Sequence, residues 1–62
     1  MESAALIAIV EDDPDQRQNY ASAIAAKGYR TEPYANRAQA YAGIKACAPD
    51  LVVVDIVLQQ EV

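Results

Sequence analysis

An acidic residue lies inside the most apolar stretch of this chain, and few folds accommodate that arrangement. Leu51–Leu58 reads Leu-Val-Val-Val-Asp-Ile-Val-Leu, interrupted only by Asp55. A continuous apolar run of this kind fits a strand buried on both faces, as in parallel sheets covered by helices. Packing alone does not justify the carboxylate, because burying it unpaired is costly. The plain structural explanation is a strand-terminal residue capping a loop.

A second apolar run, Ala5–Val10, ends in Glu11-Asp12-Asp13. A helix start follows at once: Asp13 can cap, Pro14 suits the first helical position, and Gln16 stands where a capping box needs it. Tyr20, Ala21, Ile24 and Ala25 form an apolar stripe, and Gly28 supplies the stop. Tyr29–Ala35 reads as a weaker strand, and Pro33 within it predicts a sheet edge, since proline donates nothing to a ladder. Asn36 and Gln39 repeat the capping pattern ahead of Ala40, Tyr41, Ile44 and Cys47, and Pro49 closes that helix. The chain is therefore α/β, with element order β-α-β-α-β. Helical crossovers make the strands parallel, and the edge position of the second strand gives the sheet order 2-1-3.

The chain has 62 residues, a single small domain. Such a domain buries only roughly 60% of its unfolded surface, so it usually needs disulfides, a metal or self-association to become firm. Cys47 is the only cysteine, which rules out an internal disulfide and fits a reducing, cytoplasmic setting. The N-terminus lacks a basic segment before its apolar run, and no stretch approaches a membrane span. Net charge is −4 with scattered Lys and Arg, so no nucleic-acid or anionic-membrane footprint is visible.

In the 2-1-3 order the first and third strands are neighbours about 4.8 Å apart. Glu11, Asp12 and Asp55 then leave the sheet at one end, the topological switch point where open α/β sheets bind ligands. Clustered carboxylates repel, and a hard divalent cation relieves the repulsion. Mg²⁺ takes one or two carboxylates, keeps waters and accepts phosphate oxygens. In that setting a carboxylate can act as a nucleophile toward phosphorus. Glu11-Asp12 alone has an ordinary explanation, since acids favour helix N-termini; its register with Asp55 makes the functional case. Asp13 is assigned to the cap.

Ile-Val-Glu-Asp-Asp-Pro at 9–14 and Pro-Asp-Leu-Val-Val-Val-Asp-Ile-Val-Leu at 49–58 resemble the receiver domain of two-component response regulators. The resemblance implies a flavodoxin-like fold, with Asp55 as phosphoacceptor and a sensor histidine kinase or phosphotransfer protein as donor. It implies Mg²⁺ held by Asp12 directly, by Glu11 through water, by Asp55, and by the backbone carbonyl of Val57. Gln59 stands where the family usually has proline. The Ser or Thr after a fourth strand and the Lys after a fifth have no counterpart in residues 1–62, which read as a partial receiver running from the first strand through the third. The third strand then becomes an apolar edge, for which self-association is expected, as a two-fold homodimer through that strand. A phosphorylation-independent interaction module is the alternative. An aspartyl phosphohydrolase ranks lower, because Ile56-Val57-Leu58 offers no second acid.

Other residues receive plain readings at this level. Cys47, Tyr20 and Tyr41 fall at core spacing, and Tyr34 fills the edge strand. Arg17, one turn into the first helix, could face the acidic pocket but is read first as a solvated or locally paired charge, and Arg30 and Glu32 as exposed.

Overall fold

The structure, a computed structural model, describes residues 4–55. Five elements follow in order: β1 (Leu6–Val10), α1 (Pro14–Ala26), β2 (Arg30–Tyr34), α2 (Arg37–Ala46) and β3 (Leu51–Val54). All strands run parallel in the order β2-β1-β3, as the crossover argument predicts. Of the apolar run at 51–58, Leu51–Val54 is strand, and the remainder after Asp55 lies outside the described residues.

Both helix starts form by the anticipated chemistry. Asp13 accepts a hydrogen bond from the Gln16 backbone N–H at 3.3 Å, with Pro14 beginning the helix. Asn36 accepts from the Gln39 N–H at 2.8 Å. The return arm of the first capping box differs from expectation. The Asp13 N–H donates to Glu11 Oε2 at 2.9 Å, so Glu11 satisfies the donor that Gln16 was expected to serve. At the far end of α1, Gly28 adopts φ +96°, a left-handed conformation that favours glycine, and its N–H donates to Ala25 O.

Register sorts the strand residues onto two faces. Ile7, Ile9, Leu51 and Val53 share the α1 face, while Ala8, Val10, Val52 and Val54 share the α2 face. The core is centred on β1, where Leu6, Ile7, Ala8 and Ile9 are buried, joined by Ala40 from α2. Both helices lie over β1 and β2, and among the described residues neither packs on β3. Leu51, Val52 and Val54 are consequently 56%, 40% and 51% exposed on a strand whose sequence demands burial.

Three core assignments change. Cys47 is exposed, because it sits at the C-cap where the chain has already left the helical path. Tyr41 is 68% exposed, facing the open groove beside β3 with Lys45 Nζ 5.2 Å from its ring centroid. On the inward side of α2, Ala40 is buried and Gly43 and Ile44 are half-buried, with Gly43 set closely against the Tyr34 side chain. Ala25 is likewise exposed, leaving Arg17, Tyr20, Ala21 and Ile24 as the half-buried side of α1.

Candidate acidic site at the carboxyl end of the sheet

Backbone hydrogen bonds carry the strand register one residue past the strand ends. Glu11 N–H donates to Tyr34 O at 3.1 Å, and Asp55 N–H donates to Val10 O at 3.1 Å. These bonds fix Glu11 and Asp55 at the same end of β1 and β3, as the 2-1-3 order requires. Ladder alternation places both on the α1 face. Asp12 is exposed and, with Asp55, Asn36 and Arg37, lines a cavity of about 180 Å³ floored by Val10 and Val54.

The three carboxylates are not equivalent. Glu11 is buried to 1% exposure, and its Oε1 has no hydrogen-bond partner although Oε2 has one. The Asp13 N–H holds the Glu11 carboxylate down, but burial and the neighbouring Asp12 and Asp55 carboxyls outweigh it and raise the pKa above the ordinary glutamate value. Asp55 is half-buried and accepts a hydrogen bond at Oδ2 from the Tyr20 hydroxyl at 2.5 Å. That bond to the carboxylate, with burial and the charges of Asp55 and Glu11, raises the Tyr20 pKa.

Sequence reading missed two members of this neighbourhood, Tyr20 and Arg37. Arg17 is the locally paired charge it was read as: its Nη1 donates to the Glu11 carbonyl at 2.9 Å, anchoring α1 against the β1 exit. Tyr20 is more than packing. A tyrosine at an inward helical position needs a partner for its hydroxyl, which was the available signal. Arg37 reaches the cavity because it opens α2 beside the site, a placement only the crossover geometry decides.

Hard oxygen donors with one orphaned buried oxygen suit Mg²⁺ in kind. Among the described residues, no three of His, Cys, Asp and Glu converge closely enough to hold an ion by themselves. Mg²⁺ commonly uses one or two carboxylates and fills its shell with water, so the donor set is compatible with it. The Val57 carbonyl lies outside the described residues.

A parallel α/β sheet with polar groups gathered at its switch point is the architecture in which open α/β proteins bind ligands. Residues 7–61 match the family model described as the response regulator receiver domain, and the chain belongs to that family. Comparison with curated proteins gives no match, and neither does comparison with solved structures. No helix among the described residues is long and apolar enough to cross a membrane.

Proposed function

We propose that this chain is a phosphoacceptor in two-component signalling, with Asp55 receiving the phosphoryl group from a sensor histidine kinase or phosphotransfer protein in the cytoplasm. The observation that supports this reading is the shared exit of Glu11 and Asp55, fixed by ladder bonds, beside a cavity that Asp12 and Asp55 line. An Asp55 carboxylate oxygen forms a bond to phosphorus while the donor's phosphorus–nitrogen bond breaks. The departing imidazole takes up a proton, so the chain accepts a group and does not turn over. Glu11, Asp12, Asp55 and the Val57 carbonyl are the proposed Mg²⁺ donors. When bound, the ion supplies positive charge against the transferring phosphoryl oxygens. Arg37 adds a cation at the rim of the same cavity.

The test is incubation with Mg²⁺ and a small acyl phosphate, followed by a search for a hydroxylamine-labile adduct. Label that Asp55→Asn abolishes is the expected result, and folded protein without label would overturn the reading. Repeated turnover of the donor would instead favour a phosphohydrolase.

A second reading concerns partners. The exposure of Leu51, Val52 and Val54 supports a homodimer joined through β3, with or without phosphorylation. Size-exclusion chromatography with light scattering is expected to show a dimer at micromolar concentration; a compact monomer would sink this part.

A further inference from the structure

We propose that Tyr20 is a positioning residue that restrains Asp55 in the unmodified state, so that Mg²⁺ binding and phosphorylation both proceed against its hydrogen bond. This inference rests on the phosphoacceptor reading and adds to it a built-in brake. The Tyr20 hydroxyl reaches from the middle of α1 to Asp55 Oδ2 across 2.5 Å, linking residues 35 apart in sequence. Its oxygen also lies 3.2 Å from the Gln16 side-chain oxygen one turn earlier. A phenol has one proton to donate, and the shorter, charge-assisted contact with Asp55 takes it. Gln16 serves the phenol oxygen best with its amide reversed, presenting Nε2 as donor.

The chemistry at Asp55 explains why this bond acts as a restraint. A carboxylate that joins phosphorus through one oxygen and faces a cation with the other needs its lone pairs for both. Tyr20 draws on one of those oxygens and fixes the carboxylate plane. The hydrogen bond also draws electron density from the carboxylate oxygen, lowering its nucleophilicity. Once Asp55 becomes an acyl phosphate, its remaining carboxyl oxygen is a neutral carbonyl and a weaker acceptor, so the grip on Tyr20 loosens. The charge state of Asp55 is thereby coupled to a side chain on α1, the same helix that Arg17 ties to the Glu11 carbonyl.

The experiment compares wild type with Tyr20→Phe, which keeps the ring and removes the hydroxyl. Mg²⁺ titration followed by backbone amide shifts of Asp12 and Asp55 is expected to show roughly three- to tenfold tighter binding in Y20F, the scale set by losing one charge-assisted hydrogen bond. The initial rate of Asp55 labelling by a small acyl phosphate should rise in parallel. In wild type carrying ¹³Cζ-tyrosine, the Tyr20 resonance should move on Mg²⁺ saturation while those of Tyr29 and Tyr41 stay in place. Unchanged or weaker Mg²⁺ affinity in folded Y20F overturns the brake while leaving the phosphoacceptor reading intact. Should Y20F not fold, a Tyr20 resonance that stays fixed at Mg²⁺ saturation in wild type overturns it. Absence of Mg²⁺ binding in both proteins overturns the metal reading, and the brake with it.

Discussion

Glu11 carries the least compensated charge in the described structure, with one carboxylate oxygen buried and without a partner. Its raised pKa sets the sign of a pH effect. A carboxyl whose folded pKa exceeds its unfolded value binds more protons when folded, so its contribution favours folding at low pH. That contribution is complete below the ordinary glutamate value of about 4.5 and is lost as pH rises through the higher folded value. Glu11→Gln is therefore expected to flatten the fall in melting temperature from pH 4 upward, since the amide can still accept from the Asp13 N–H. Saturating Mg²⁺ should raise the wild-type melting temperature at neutral pH and do less for Glu11→Gln, as expected for a ligand that binds the folded state. Equal Mg²⁺ shifts in both proteins would remove Glu11 from the site. The sequence exposed the cluster of acids but not which of them is buried, because alternation decides faces only after register is set.

At the scale of elements, α2 and β2 meet through Gly43 and Tyr34. A Cβ added at Gly43 would overlap the Tyr34 hydroxyl and ring edge. Tyr34 is not free to swing away, because its hydroxyl donates to Glu32 at 2.6 Å on the same strand. Gly43→Ala is expected to cost about 1–3 kcal/mol through overpacking. Urea unfolding checks this, and the cost should shrink when Tyr34→Leu is also present. Asn36→Ala should lower stability by about 1 kcal/mol, the usual worth of an N-cap, and a smaller loss by the same measurement would show the cap compensated. The caps themselves were plain in the sequence, since Asp13 and Asn36 bond backbone groups only three residues away. The Tyr34–Gly43 contact was not, because it joins two elements and depends on how far α2 tilts onto the sheet. The half-buried Glu32, read as exposed, belongs to the same contact: it faces α2 and serves the Tyr34 hydroxyl.

For the whole molecule, the uneven cover of the sheet is the dominant feature. Helices sit over β1 and β2, while β3 shows apolar side chains on both faces. If a second copy covers that surface, Val52→Lys should shift the chain to monomer in light scattering while the far-UV dichroism of the wild type is kept. A dimer that persists in V52K would place the contact elsewhere. Asp50 contributes at the opposite end of the sheet, where its Oδ2 accepts from Leu6 N–H at 2.7 Å and its own N–H donates to Leu6 O at 2.8 Å. That pair of bonds starts β3 in register with β1, and so sets where Asp55 emerges.

Local chemistry by itself determined the elements, their parallel order and the gathering of Glu11, Asp12 and Asp55 at one end. Hydrophobic runs, caps and the Pro33 edge signal act within a few residues, and the crossover rule leaves little freedom in connecting them. Tertiary structure alone decided that Glu11 is buried with an orphaned oxygen, that Arg17 holds the Glu11 carbonyl, and that Tyr20 binds Asp55. Each of these depends on the angle and rotation at which α1 meets the sheet. A periodicity fixes which side of a helix turns inward, but not which atom its polar tip will touch.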